Sequence, residues 1–170
     1  AWQHLRGGSN CGRRRGGKES TMESKTGCFY CDNCEPLFSL MTEICTLKAS
    51  RVFLFRDQKN PGRCVVQYKE HKTELFQLTS EERAVFMDDV AAVAEAIWKL
   101  YQPQKINYAT YGDGVPHLHV HVVPKREDTP SWGGPFSDQL PKVYLDAAEE
   151  KAAVAALRAE LTQKSERGII

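Results

Sequence analysis

Polar and apolar residues alternate strictly from 117 to 123, where the chain reads His-Leu-His-Val-His-Val-Val. A period of two predicts a β-strand with one apolar face in a core and one polar face on the other side. Pro124 follows, and because proline has no N–H to give to a ladder, it is predicted to end the strand. His117, His119 and His121 are therefore expected to share one face of a rigid element.

Two more apolar segments, 51–56 and 63–68, flank a polar turn at 57–62 and predict a β-hairpin. Residues 105–111 predict another strand, and the Gly-Asp-Gly turn at 112–114 leads from it into the histidine strand. Because the connection is so short, these two strands are expected to be antiparallel neighbours.

Helices are predicted on both sides of the histidine strand in the sequence. Thr79 and Glu82 have the spacing of a capping box, and helix-forming residues continue from there to Tyr101, just ahead of Pro103. Residues 144–163 are rich in Ala, Glu, Lys and Leu and predict a terminal helix. The order of hairpin, helix, hairpin and helix predicts an α+β fold, an antiparallel β-sheet with helices packed on one face.

Composition separates a short tail from one domain. Residues 1–22 are rich in Arg, Gly and Ser and are predicted to be a disordered extension, with Met22 as a possible true start. Residues 23–170 are long and apolar enough for a single domain with its own core. The net charge is +1, but the tail is basic, so the remainder is slightly acidic and no polyanion-binding surface is expected there. No membrane span or signal peptide is visible, and a cytoplasmic protein is expected.

The cysteines suggest a metal site. Their six positions are 11, 28, 31, 34, 45 and 64, and in a reducing compartment they are expected to be metal ligands or buried small residues. Cys28 and Cys31 form a CxxC pair, which is either a redox pair or half of a zinc site. His71 and His117 would complete a closed, structural Cys2His2 zinc site. Cys34 is a rival ligand, and a set of free thiols is the alternative to any metal.

The middle histidine of the strand has the chemistry of a nucleophile. A neutral imidazole at His119 can attack phosphorus, and the resulting phosphoramidate is labile enough to be resolved by water or another acceptor. His121 could donate to phosphate oxygens, and Gly112 and Gly114 allow backbone N–H groups to approach the same phosphate. Asp57 is either a ribose-binding carboxylate or a plain turn aspartate.

The His-φ-His-φ-His-φ-φ motif (φ, apolar), the strand and helix order before it and the Pro-Gly turn resemble the histidine triad family of nucleotide hydrolases and transferases. The likeness covers roughly residues 28–136. It implies a nucleotidylated intermediate on His119 and a ribose contact from Asp57. It also implies phosphate or backbone contacts from the segment before the triad, where Asn107, Gly114 and Val115 are the candidates.

Zinc-containing branches of this family, which look like galactose-1-phosphate uridylyltransferase relatives, bind the metal through residues that match Cys28, Cys31, His71 and His117. Two departures from the family pattern are visible. The hairpin turn at 57–62 is short relative to common members of the family. Arg63 stands where the family often has a fourth active-site histidine, and it could serve a phosphate as a fixed cation.

The resulting hypothesis is a hydrolase or nucleotidyltransferase that acts at the α-phosphate of a nucleotide conjugate, of the nucleoside phosphoramidase or dinucleoside polyphosphate hydrolase type. Structural Zn²⁺ is the only cofactor expected, and a homodimer is expected, with the helix from Thr79 to Tyr101 as one candidate interface. The alternatives are a nucleotide-binding regulatory protein with little turnover and an RNA-binding module that uses the Arg/Gly tail.

The tail itself is predicted to be dispensable. A chain that lacks residues 1–21 should keep its melting temperature and its turnover, because this composition buries too little apolar surface to offset the entropy of ordering it. Thermal unfolding and a hydrolysis assay on the full and truncated chains test this. A melting temperature several degrees lower in the truncated chain would show that the tail docks on the domain.

Overall fold

The computed structural model describes residues 27–129, 131–136 and 140–166, and the side chains of these residues up to 163. The five strands of its antiparallel sheet are β1 (Met41–Thr46), β2 (Ser50–Phe55), β3 (Cys64–Tyr68), β4 (Lys105–Ala109) and β5 (His119–Lys125), in the order β1-β2-β3-β5-β4. The helices are α1 (Phe29–Asp32), α2 (Glu35–Leu40), α3 (Ser80–Tyr101) and α4 (Ala147–Glu166). The predicted α+β fold is confirmed.

The two long helices cover one face of the sheet. Helix α3 packs on β2, β3 and β5, and α4 packs on α3 and β1. The buried side chains between these layers include Val52, Leu54, Val66, Leu118, Val120 and Val122 from the sheet side and Phe86, Val93, Ile97, Leu157 and Leu161 from the helices. These sheet positions are every second residue of their strands, as a one-sided apolar face requires.

The other face of the sheet carries the histidines and a second apolar cluster. Phe53 and Val65 point to this side, and the short helices α1 and α2 add Tyr30 and Leu37 to it. Strand β1 and these two helices were not predicted from the sequence. The histidine face is therefore covered in part by the segment that contains the CxxC pair.

The histidine strand is shifted relative to its predicted bounds. Ladder pairing begins at His119 and continues through Pro124, which pairs with Ile106 of β4. The prediction that Pro124 ends the strand is wrong, because pairing between β3 and β5 has already stopped at Val122. The backbone nitrogen of Pro124 faces the side of β5 on which β3 no longer pairs, so the missing N–H costs no ladder hydrogen bond.

The capping box of α3 is present as the sequence indicates. The Glu82 N–H donates to the Thr79 hydroxyl over 3.2 Å, and the Thr79 N–H donates to the Glu82 carboxylate over 2.7 Å. The helix ends at Tyr101, and Gln102, its C-cap, has a left-handed φ of 46°. The predicted disordered extension lies outside the described residues. No helix in the described part of the chain has the length and apolarity to cross a membrane.

Candidate functional site

The interior strand β5 and its neighbour β3, the central strand, fix the positions of the triad. His121 pairs with Val65 and His119 pairs with Gln67 in the antiparallel register. His117 precedes the ladder, but its N–H donates to the Val115 carbonyl over 2.7 Å. All three histidine side chains are buried. The sheet thus holds three imidazoles on one side with little freedom to move.

His119 has the tautomer that a nucleophile needs. Its Nδ1 lies 2.5 Å from the backbone carbonyl oxygen of His117, and a carbonyl can only accept, so Nδ1 carries the proton. Its Nε2 is buried and has no hydrogen-bond partner among the described residues. Burial lowers the pKa of His119. The ring is therefore held neutral, with the lone pair of Nε2 available.

His121 is next to a buried cation. The Arg63 Nη2 lies 3.4 Å from its Nδ1, and since guanidinium only donates, Nδ1 accepts and the proton of His121 is on Nε2. The Arg63 guanidinium lies 4.1 Å from the centre of the Phe55 ring and 4.7 Å from that of Phe136. Lys125 positions the Phe136 loop by donating to backbone carbonyls within 131–134. The contact with Arg63 thus leaves His121 as a donor at Nε2, and the His121 ring lies 5.2 Å from the His119 ring.

Asp57 has protein partners in this structure. Its carboxylate accepts from the Lys59 ammonium over 3.0 Å and from the Val143 N–H over 3.1 Å. Tyr144 forms a bridge with Asp57 next to that contact. Asp57 therefore ties the segment before α4 to the turn after β2, and its contact with a ribose stays a prediction.

The three residues before the triad that are predicted to contact the nucleotide differ in burial. Asn107 is half-buried on β4 and pairs with Val123, which places it on the histidine face. Val115 is buried in the cluster of that face, whereas Gly114 is exposed. The roles of these three residues as nucleotide contacts remain predictions.

The four predicted metal ligands lie together. One ligand atom each from Cys28, Cys31, His71 and His117 falls within 4.8 Å of all the others. The Cys28 Sγ is 3.4 Å from the His117 Nδ1, and the Cys31 Sγ is 3.3 Å from the His71 Nδ1. Tetrahedral zinc with its usual bond lengths places sulfur and nitrogen ligands roughly 3.5 Å apart. The donor set and its spacing therefore fit zinc.

A backbone group orients His117 toward this cluster. Its Nε2 lies 2.8 Å from the Tyr68 carbonyl oxygen and donates to it, which leaves the lone pair of Nδ1 directed at the thiols. Burial is the main cause that lowers the pKa of His117, to about 4. Both effects keep the ring in the neutral form that a metal requires.

The other cysteines of the described chain are not part of the cluster. Cys34, the rival ligand, is disulfide-bonded, contrary to the expectation that every cysteine is a ligand or a buried small residue. Cys45 and Cys64 are free thiols on β1 and β3. Burial raises the pKa of both, that of Cys45 to about 11, so they are unreactive packing residues.

Several aromatic residues of the site were missed by sequence reasoning. Tyr30 lies 5.2 Å from the His117 ring and 5.4 Å from the His119 ring. Phe136 and Tyr111 each lie 6.0 Å from the His121 ring. The position of Tyr30 inside the CxxC pair was a usable signal, because a residue between two members of the Cys2His2 cluster must lie beside that cluster. Nothing local in the sequence marks Phe136.

Comparisons with known proteins agree with this geometry. A HIT domain model matches residues 41–128, more than half of the chain. A histidine triad protein from Bradyrhizobium japonicum is 25% identical with a TM-score of 0.69, and the match covers 74% of this chain and 94% of that one. A histidine triad protein from Sinorhizobium meliloti is 26% identical with a TM-score of 0.68, and the match covers 74% of this chain and 93% of that one.

A Zn-bound histidine triad family protein from Mycobacterium smegmatis is 23% identical with a TM-score of 0.52, covering 74% of this chain and 86% of that one, and shares the fold. No curated protein sequence matches. The match to the HIT domain, together with the buried triad of His117, His119 and His121, shows that this chain belongs to the HIT domain family.

Proposed function

We propose that the protein hydrolyses, or transfers the nucleotidyl group of, a nucleotide conjugate through a covalent intermediate on His119. Membership of the HIT domain family supports a nucleotide-binding, hydrolase-type function. The observation that carries the finer proposal is the state of His119, whose Nδ1 proton is bound to a carbonyl while Nε2 is buried without a partner among the described residues.

In the proposed reaction, the Nε2 lone pair of His119 attacks the α-phosphorus and forms an N–P bond. The bond from phosphorus to the leaving group breaks, and the leaving group departs with that electron pair and takes up a proton. Water then attacks the phosphorus and loses a proton. The N–P bond breaks, its electron pair returns to Nε2, and a nucleoside monophosphate and free His119 are released. A different acceptor in place of water would make the reaction a transfer.

His121 is proposed to stabilise the negative charge that develops on the phosphoryl oxygens. Its Nε2 carries the proton, because Nδ1 accepts from Arg63. A preorganised donor beside a buried cation is effective here, since water cannot screen it. Arg63 thus acts on the phosphoryl group through His121 and through its own charge.

Zinc is proposed as a structural cofactor held by Cys28, Cys31, His71 and His117. With four protein ligands the metal would have no open position for water, so the chemistry it supplies is a crosslink. The link joins α1 to the end of β3 and the start of β5. It would thereby fix His117, whose carbonyl holds the proton of His119.

The proposal is tested by trapping the intermediate. Incubation with adenosine, guanosine and uridine 5′-phosphoramidates and with dinucleoside polyphosphates, followed by rapid acid-free quenching and peptide mass analysis, should show one nucleotidyl adduct on the peptide that contains His119. A protein that binds nucleotides but forms neither adduct nor product would instead be the regulatory alternative.

Arg63 offers a second test. Arg63→Lys should lower kcat/KM about tenfold, the effect of losing one hydrogen bond to a charged group, because lysine lacks the planar fork that donates to His121 while lying between two rings. The measurement is steady-state kinetics on the best conjugate. Arg158→Lys is the control, since Arg158 donates to the Ile44 carbonyl on the helix side of the sheet. Equal loss in both variants would contradict the assignment.

The homodimer and the cytoplasmic location also remain proposals. Helix α3 supports the dimer in one respect, because its Met87, Trp98 and Leu100 side chains are exposed apolar groups.

A further inference from the structure

The Tyr30 hydroxyl is a buried polar group that the reaction described above does not use. The side chain is 1% exposed. Its hydroxyl oxygen has no hydrogen-bond partner among the described residues. A buried hydroxyl without a partner destabilises the folded chain relative to phenylalanine at the same position. A phenylalanine ring would fill the same space, so packing does not explain the hydroxyl. A hydrogen-bond partner from a bound ligand would explain it.

The position of Tyr30 points to the reaction centre. Its ring packs on the His117 and His119 rings, with centroid distances of 5.2 and 5.4 Å. On its other sides lie Phe29 and Phe53, with centroids at 4.7 and 6.3 Å. These four contacts fix the ring, so the hydroxyl is held in one place beside the triad.

Two buried polar atoms without partners thus belong to neighbouring rings. One is the Nε2 of His119, which carries a lone pair, and the other is the Tyr30 hydroxyl. An incoming phosphoryl group offers both an electrophilic phosphorus for the first and anionic oxygens for the second. A single ligand would therefore satisfy both atoms.

The chemistry of the hydroxyl suits an anionic oxygen as the partner. A phenol O–H donates a hydrogen bond, and the nonbridging oxygens of a phosphoryl group accept one. Hydrogen bonds to an ionised acceptor are about twice as strong as those to a neutral one.

We propose that the Tyr30 hydroxyl donates a hydrogen bond to a nonbridging oxygen of the phosphoryl group that His119 attacks. Tyr30 would then be a catalytic residue, and the proposal rests on the proposed function of His119. The CxxC segment gains a second role, because Cys28 and Cys31 bracket Tyr30 and would hold it over the triad.

The first test is Tyr30→Phe, which removes only the hydroxyl. The melting temperature of the free protein should stay the same or rise, and kcat/KM on the best conjugate should fall about tenfold, as expected for one charged hydrogen bond. Tyr101→Phe is the matched control, because Tyr101 is partly buried against the core on the helix side. Unchanged kinetics in Tyr30→Phe, or a lower melting temperature with the same kcat/KM, would overturn the proposal.

The second test identifies the oxygen. In the two diastereomeric phosphorothioates of that conjugate, sulfur replaces one nonbridging oxygen or the other. The wild-type protein should have a higher kcat/KM on one diastereomer, because sulfur is a weak acceptor for the Tyr30 hydroxyl. In Tyr30→Phe, the logarithm of the ratio of the two kcat/KM values should fall to half of its wild-type value or less. If kcat/KM falls while the preference stays unchanged, the hydroxyl does not contact the phosphoryl group.

AMP binding by calorimetry separates this proposal from the proposed function. If wild-type protein binds AMP without turning any conjugate over, the nucleophile hypothesis fails, and a roughly tenfold weaker Kd in Tyr30→Phe still supports the phosphate contact. An equal Kd in the two proteins overturns the contact. Absence of both turnover and binding of AMP, GMP or UMP by the wild-type protein overturns both proposals.

Discussion

Replacement of His119 by alanine should abolish turnover and leave the fold intact. The expected loss in kcat is more than about 10³-fold, because the remaining groups can position a substrate but have no nucleophile to offer. The fold should survive because the adjacent Leu118 and Val120 point to the opposite face and do the packing there. Initial rates on the best conjugate, with circular dichroism and melting temperature on the same samples, measure both effects.

The matched control for this variant is His4→Ala, which removes a histidine from the segment that is predicted to be dispensable. It should keep the wild-type rate. The nucleotidyl adduct should form in the control and be absent in His119→Ala. A folded His119→Ala protein with activity within tenfold of wild type would show that the nucleophile has been assigned to the wrong residue.

For the histidine strand, the local sequence pattern predicted some features of the structure and not others. Alternation predicted which side chains share a face, because a period of two is a property of the strand itself. It could not predict that Pro124 stays within the strand, since that depends on where β3 stops pairing. Nor could it predict the hydrogen bond from His119 to the His117 carbonyl, which sets the tautomer and depends on backbone angles before the ladder.

The contacts of the residues around the turn after β2 could not be predicted from the sequence. Asp57 was assigned by resemblance, yet its partners Lys59 and Val143 include a residue 86 positions away in the chain. The aromatic rings that enclose Arg63 come from β2 and from a loop that follows β5. Such contacts between distant segments have no local signature. The four candidate metal ligands could be predicted from the sequence because CxxC limits the candidates and the chain has few histidines.

Zinc removal is the second change with a large expected effect, and it should destabilise the protein before it inactivates it. Helix α1 has four residues and cannot be stable alone, so the metal would hold it in place. A free zinc concentration a thousandfold above Kd contributes about 4 kcal/mol, and a domain of this size loses about 2–4 °C per kcal/mol. A chelator should therefore lower the melting temperature by roughly 10 °C.

Substitutions resolve which side chains hold the metal. Protein purified without added metal should contain about one zinc per chain in the four-ligand site, and Cys31→Ser should lower both the zinc content and the melting temperature. Cys45→Ser should spare both. Cys64→Ser should keep the zinc while losing some stability, because its hydroxyl would be buried in an apolar core. A metal-free native protein would contradict the site, and so would zinc that is lost in Cys34→Ser but retained in Cys28→Ser.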